Sequence, residues 1–190
     1  MAIDRDLELM LRVRQGDAES FEQLLSKYRT PLVHYFTRMV ADRALAEDLA
    51  QEAFLRVYRA RERYQAEAKF TTWLYRIATR LALNALRDRR AKAATSNDLE
   101  QRPAREAACR DLSIEQQLME SDRQRLIRKA VEALPDNQRA AVILHKYQEA
   151  DYRQISKVLE VSESAVKSLL FRAYQNLRVS LEPLVKGGQI

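Results

Sequence analysis

Apolar side chains recur every three or four residues along most of the chain, in blocks that short polar breaks separate. This spacing is typical of amphipathic α-helices, because it places the apolar residues on one face of each helix. Residues that favour helix starts predict four such starts in the first half, at Gly16-Asp17, Thr30-Pro31, Asp42 and Thr71. We expect the helix after Asp42 to run to about Arg61 and the helix after Thr71 to run to about Arg90.

The apolar period fails between residues 93 and 112, which predicts a linker of about twenty residues. A capping box at Ser113 to Gln116 then predicts a new helix, and Leu134-Pro135-Asp136 ends it. With only three Gly and four Pro in 190 residues, little of the sequence opposes helix formation. The fold expected is all-α, with two small helical domains over 1–92 and 113–190 joined by a flexible linker.

The last third of the chain carries the pattern of a helix-turn-helix. A short amphipathic helix ends at Leu159, Glu160-Val161-Ser162 forms the turn, and a longer helix follows. The polar, partly basic side of the longer helix, here named the recognition stripe, consists of Ser164, Lys167, Ser168, Phe171, Arg172 and Gln175. Cationic and hydrogen-bonding side chains on such a helix favour insertion into a DNA major groove. The alternative is a helical hairpin that binds protein, with Phe171 as its anchor.

A basic segment with aromatic residues at its start lies between Lys69 and Lys92, where Asp88 is the one acid. Its members expected to contact nucleic acid, here named the aromatic–basic set, are Lys69, Phe70, Trp73, Tyr75, Arg76, Arg80, Asn84 and Arg87. Unstacked bases can stack on rings while phosphates pair with guanidinium groups, so single-stranded nucleic acid suits this composition. The alternative is that Phe70 and Trp73 belong to the core and that the basic side chains are simply solvated.

The helix predicted after Asp42 has two distinct stripes. The stripe expected to be buried consists of Leu45, Leu49, Ala53, Phe54, Val57 and Tyr58. The second, here named the acidic stripe, consists of Asp48, Gln51, Glu52 and Leu55. Acidic groups beside a solvent-facing leucine suit docking on a basic partner helix, whereas an ordinary solvated face with one exposed leucine is the alternative.

Composition narrows the function classes further. The chain has 33 Lys and Arg against 27 Asp and Glu, a net charge of +6, which favours a polyanionic partner. The single Cys109 excludes an internal disulfide, and Cys109 with two histidines is too few for a zinc site. The sequence contains no nucleophile motif, phosphate-binding glycine loop, signal peptide or long apolar run. We therefore expect a cytoplasmic protein that is not an enzyme, binds no metal or cofactor, and does not insert into a membrane.

Taken together, these segments resemble the bacterial RNA polymerase sigma factors of the extracytoplasmic-function (ECF) type. The resemblance covers nearly all of the chain except the linker. Its carriers are residues 16–21 (GDAESF), 48–54 (DLAQEAF), 70–78 (FTTWLYRIA), Leu134-Pro135 with Arg139, and the helix-turn-helix.

The resemblance implies a subunit that gives RNA polymerase its promoter specificity. Residues 1–92 would form sigma region 2, which docks its acidic stripe on the clamp helices of the largest polymerase subunit. The aromatic–basic set would capture the melted −10 strand, with a flipped base held by the loop from about Tyr64 to Lys69. Residues 113–190 would form region 4, which reads the −35 duplex with the recognition stripe. The partners implied are core polymerase, promoter DNA and an anti-sigma factor.

Glu160 and Lys167 depart from the pattern of this family. Glu160 stands in the turn where the family usually has Gly, so a left-handed backbone there would be strained. Lys167 in place of Arg favours phosphate contact over bidentate contact with guanine. Two other functions stay open: a helix-turn-helix regulator that binds operator DNA without polymerase, and a helical adaptor that binds only protein through Phe171 and Leu55.

Overall fold

The computed structural model describes residues 4–65, 68–95 and 122–186, and within these ranges it contains helices and no strand. The first half holds α1 (Arg5–Arg14), α2 (Ala18–Val40), α3 (Arg43–Arg59), a 3-10 turn (Arg61–Arg63) and α4 (Phe70–Thr95). The second half holds α5 (Asp122–Glu132), α6 (Asp136–Tyr147), α7 (Tyr152–Leu159) and α8 (Glu163–Lys186). The predicted all-helical class is confirmed.

Two of the predicted helix starts are confirmed by their hydrogen bonds. The Asp17 carboxylate accepts from the backbone N–H groups of Glu19 and Ser20, at 3.0 and 3.2 Å. The Asp42 carboxylate accepts from the N–H of Leu45 at 3.1 Å. Each carboxylate therefore satisfies donors that the first helical turn leaves without a partner.

The helix start predicted at Thr30-Pro31 is wrong, because α2 continues from Ala18 to Val40 with Pro31 inside it. A proline in a helix interior removes one backbone hydrogen bond and costs on the order of 3 kcal/mol. Tyr28 and Leu32, on either side of it, are both buried, so one apolar stripe faces the core across Pro31. Tertiary packing of that stripe offsets the local cost.

The helix start predicted at Thr71 is also displaced. The backbone N–H groups of Thr72 and Trp73 donate to the carbonyl of Lys69, so α4 already begins at Phe70. At its other end α4 continues to Thr95, past the predicted end near Arg90. The capping box predicted at residues 113–116 lies outside the described residues.

The core of the first half forms where α2, α3 and α4 meet. Tyr35 is fully buried, and its hydroxyl shares a hydrogen bond of 2.7 Å with the Thr79 hydroxyl of α4. The stripe predicted to be buried on α3 is confirmed in part. Leu49, Ala53, Phe54 and Val57 are buried, whereas Leu45 is half-buried and Tyr58 is exposed.

The helix-turn-helix is confirmed in the second half, where α7 and α8 join through the turn at residues 160–162. Asp151 and Gln154 form a reciprocal capping box at the start of α7. Glu160 has φ 57° and ψ 42°, so the left-handed conformation expected in this turn is adopted by a residue with a Cβ. Ile155 of α7 packs in one cluster with Val166 and Leu170 of α8.

The two halves pack against each other in this structure. Helix α7 lies against α4, and α6 lies against α2. The Arg139 guanidinium crosses this interface: it donates to the carbonyls of Met39 at 2.6 Å, Leu134 at 3.1 Å, and Glu132. The helix-turn-helix therefore sits beside the basic helix α4.

Candidate nucleic-acid and polymerase interface

The recognition stripe lies on the solvent side of α8. All six of its residues are exposed, and the Phe171 side chain is 66% exposed. On the opposite side, Val166, Leu170 and Ala173 are buried against α6 and α7. The Ser162 hydroxyl accepts from the N–H of Ala165 at 3.2 Å, which fixes the start of the helix. A rigid helix thus presents its polar face outward, as insertion into a groove requires.

The aromatic–basic set divides into exposed cations and buried rings. Lys69, Arg80, Asn84 and Arg87 are exposed, and Arg76 and Trp73 are half-buried. Phe70 is fully buried, so in this arrangement its ring packs in the core and is not available for stacking on a base. The spacing of Arg76, Arg80 and Arg87 places these three cations on one side of α4. Contact of the set with DNA stays a prediction.

Tyr64 is an aromatic residue that the set omits. Its ring is buried, lies 4.9 Å from the Trp73 ring, and carries a hydroxyl without a hydrogen-bond partner. Burial raises the pKa of this hydroxyl to about 12, so it stays protonated and can donate. The sequence could have indicated Tyr64, because it lies in the loop before α4 that the family resemblance assigns to a flipped base. Residues 66 and 67 of that loop lie outside the described residues.

Tyr75 and Arg80 contact the second half of the chain. The Tyr75 hydroxyl donates to Gln148 Oε1 at 2.5 Å, and burial raises the pKa of Tyr75. Arg80 Nη2 donates to both carboxylate oxygens of Glu160 at 2.5 Å. The hydrogen bond from Arg80 lowers the pKa of the Glu160 carboxyl. Sequence periodicity could not find these pairs, because it describes each helix separately.

The acidic stripe lies on the open side of α3. Asp48 and Gln51 are exposed, Leu55 is 50% exposed, and Glu52 pairs with Arg56 at 2.7 Å. Beside it, the Tyr58 ring packs at 5.1 Å from Phe21 and lies under the Arg61 guanidinium at 4.2 Å. Tyr58 was predicted to be buried, so this surface is more apolar than the sequence indicated.

Two other kinds of site, a membrane-spanning helix and a metal site, are absent from the part of the chain that the structure describes. None of its helices has the length and apolar content needed to cross a membrane. No group of His, Cys, Asp or Glu among the described residues could hold a metal ion.

Two family profiles match the two halves of the chain. Residues 24–92 match the family described as Sigma-70 region 2, and residues 124–177 match Sigma-70, region 4. The RNA polymerase sigma-H factor of Pseudomonas aeruginosa is 32% identical over 188 residues, which cover 96% of this chain and 97% of that protein. The chain belongs to the RNA polymerase sigma factors of the ECF type.

Other relatives of this sigma factor agree in sequence and in fold. The ECF RNA polymerase sigma-E factor of Escherichia coli K12 is 29% identical over 185 residues, covering 95% of this chain and 96% of that protein. CnrH, solved in complex with the cytosolic domain of CnrY, has a TM-score of 0.71 at 18% identity, over 95% of this chain and 99% of that chain. The sigma factor RpoE of Bartonella quintana, solved with the anti-sigma factor NepR, has a TM-score of 0.66 at 19% identity, over 87% of this chain and 98% of that chain.

As a sigma factor, this protein acts in transcription initiation. Region 2 includes α4 and the acidic stripe of α3, and region 4 includes the helix-turn-helix. The three surfaces predicted from the sequence therefore fall within the two regions of one sigma factor. The domain boundaries predicted at residues 92 and 113 stay predictions.

Proposed function

We propose that this sigma factor binds core RNA polymerase through the acidic stripe and directs it to promoters that it reads at two places. The recognition stripe contacts the −35 duplex, and the cations of α4 hold the melted −10 strand. The observation that carries the proposal is the exposure of the recognition stripe, of Asp48, Gln51 and Leu55, and of Lys69, Asn84 and Arg87, while the opposite faces of α8, α3 and α4 are buried. Such surfaces are available to partners and are held rigidly.

The protein contributes binding energy and no reaction of its own. Phosphate contacts from the recognition stripe and from α4 are each weak, but binding to one polymerase makes the second contact intramolecular. Strand opening follows because contacts with unstacked bases offset the cost of separating them. Since core polymerase and the chromosome are cytoplasmic in bacteria, we place the protein there as well.

An anti-sigma factor is a further partner within this proposal. CnrH and the Bartonella RpoE, which share the fold, were solved with the cytosolic domain of CnrY and with the anti-sigma factor NepR. A protein of that kind would act by covering the acidic stripe or the DNA-reading surfaces. We expect one regulatory protein to copurify with the tagged sigma factor. In a competition experiment, this protein should prevent the sigma factor from binding core polymerase.

A run-off transcription assay with bacterial core polymerase tests the main proposal. The template is a promoter mapped from transcripts that rise when the sigma factor is overproduced. We expect a transcript of defined length only when the sigma factor is present. Tight operator binding without polymerase, together with no added transcript, would favour the independent regulator instead. A function that stays intact in both Arg76→Ala and Lys167→Ala would favour the adaptor.

A further inference from the structure

The contact between the helix-turn-helix and α4 places the two proposed DNA-reading surfaces side by side. Glu160 lies in the turn of the helix-turn-helix, and its carboxylate pairs with Arg80 of α4. Ser164, the first residue of the recognition stripe, is four positions further along the same chain. The surface assigned to −35 DNA therefore begins next to the surface assigned to the −10 strand.

With region 4 packed against α4, here named the closed form, the protein cannot contact both promoter elements at once. Elements centred at −35 and −10 are about 25 base pairs apart, which corresponds to about 85 Å of B-DNA at about 3.4 Å per base pair. Region 4 must therefore leave α4 before both surfaces engage DNA. Every contact that crosses the interface opposes that separation.

Polar contacts cross the interface between the two regions in the described part of the chain. They include Arg80 with Glu160, Tyr75 with Gln148, Arg90 with Asp136, Arg139 with the Met39 carbonyl, and the Arg38 guanidinium at 4.2 Å over the Tyr147 ring. Only the first two use side chains of the aromatic–basic set. In the contact of Arg80 with Glu160, the carboxylate pairs with a guanidinium that a DNA phosphate would otherwise bind.

The position of Glu160 supports a specific role for its carboxylate. The backbone there is left-handed, a conformation that Gly adopts without strain and that a side chain opposes. Glu160 nevertheless places both carboxylate oxygens at 2.5 Å from Arg80 Nη2. Arg76 also lies close enough to act on Glu160 electrostatically. The turn thus carries a negative group onto the most basic helix of region 2.

We propose that Glu160 competes with promoter DNA for Arg80, and that this pair helps to hold region 4 against α4 until polymerase separates the two regions. The inference rests on the proposed assignment of the −10 strand to α4. The competition predicts that the free sigma factor binds DNA weakly, because the Glu160 carboxylate already pairs with Arg80. Binding to polymerase would release Arg80 by moving region 4 away.

The test compares Glu160→Gln with Asp88→Asn in the full chain. Glu160→Gln keeps the size and the backbone conformation but removes the charge that pairs with Arg80. Asp88→Asn removes one negative charge from α4 itself, where Asp88 pairs with Arg87 at 3.8 Å, a contact within region 2. Both variants change the net charge equally, so a general electrostatic effect would be the same in each.

The first measurement is the distance between the two regions, obtained by electron paramagnetic resonance without DNA or polymerase. Spin labels are attached at Ala44→Cys and Val179→Cys in a Cys109→Ser background, because Ala44 and Val179 are exposed on α3 and α8. We expect one short distance for the unmodified sequence and for Asp88→Asn, and added longer distances for Glu160→Gln. The charge-swapped pair Arg80→Glu with Glu160→Arg should restore the short distance. Unchanged distances in Glu160→Gln would overturn the proposal.

The second measurement is the affinity for a fluorescein-labelled single-stranded DNA of mixed sequence, by anisotropy at low salt. Glu160→Gln should bind about two- to five-fold more tightly than the unmodified chain, the range expected for one exposed ion pair. A gain no larger than that of Asp88→Asn, or no gain, would overturn the competition. The distance measurement needs no polymerase, so it separates failure of this inference from failure of the proposed function, which the run-off assay reports.

Discussion

At the scale of single residues, Arg139 shows how one side chain can join two domains. Its guanidinium is buried, donates to carbonyls of both regions, and leaves Nε without a partner. Burial lowers the pKa of Arg139, and burial also raises the pKa of the neighbouring Glu132 carboxyl. The sequence indicated Arg139 only as part of the family pattern; its contact with Met39, one hundred positions away, depends on the tertiary structure.

We expect Arg139→Met to lower the free energy of unfolding of the full chain by about 2–3 kcal/mol. The methionine fills most of the volume but leaves buried carbonyls of Leu134 and Met39 without their donor. Urea denaturation followed by circular dichroism measures the change. Arg172→Met, on the exposed face of α8, is the control and should change stability by less than about 0.5 kcal/mol. Equal stability of the two variants would contradict a structural role for Arg139.

At the scale of elements, α3 shows what a periodic pattern can and cannot determine. Periodicity separated its buried stripe from its acidic stripe, because residues three and four apart share a face. It assigned Tyr58 to the buried side, yet the structure leaves Tyr58 exposed beside Phe21. The error arises because burial at the edge of a stripe depends on which helix packs there, and periodicity does not contain that information.

We expect Leu55→Asp to weaken binding to core polymerase about ten-fold or more, because it places a charge where an apolar side chain would be buried against the partner. Val179→Asp is the control, since Val179 is also an exposed apolar residue, at 71% exposure, but lies on α8. Binding is measured with labelled sigma factor and core polymerase. Similar losses in both variants would argue against docking through the acidic stripe.

The two helices proposed to read DNA should respond differently to loss of one arginine. Arg172→Ala on α8 should reduce polymerase occupancy mainly at promoters with a strong −35 element, because it removes a contact with the duplex. Arg80→Ala on α4 should instead reduce strand opening at promoters that are still occupied. Permanganate footprinting of unpaired thymines distinguishes the two effects. Identical footprints for the two variants would count against the assignment of one helix to each element.

At the scale of the whole molecule, the interface between the regions depends on charge, and therefore on pH. Arg80 and Arg76 face Glu160, and the hydrogen bond from Arg80 lowers the pKa of Glu160 below its ordinary value of 4.5. A carboxyl with a lowered pKa stabilises the closed form above that ordinary value. Its contribution is lost as the pH falls through the pKa in the closed form.

We therefore expect the closed fraction of the unmodified chain to exceed that of Glu160→Gln at pH 7 and to match it under acidic conditions. The ion pair of Arg90 with Asp136 also lies at the interface, but it is the same in both chains, so the difference between them isolates Glu160. The spin-label distances, measured from neutral pH to below about pH 4, provide the readout. A difference that stays constant over that range would exclude the Glu160 carboxylate as its cause.

The sequence by itself determined the helical class, the caps at Asp17 and Asp42, and the helix-turn-helix with its exposed polar face, because each follows from interactions within a few residues. The tertiary structure decided that α2 passes through Pro31, that Phe70 lies in the core, and that Glu160 meets Arg80. These features depend on which helices pack together, and contacts between residues eighty positions apart leave no periodic trace in the sequence.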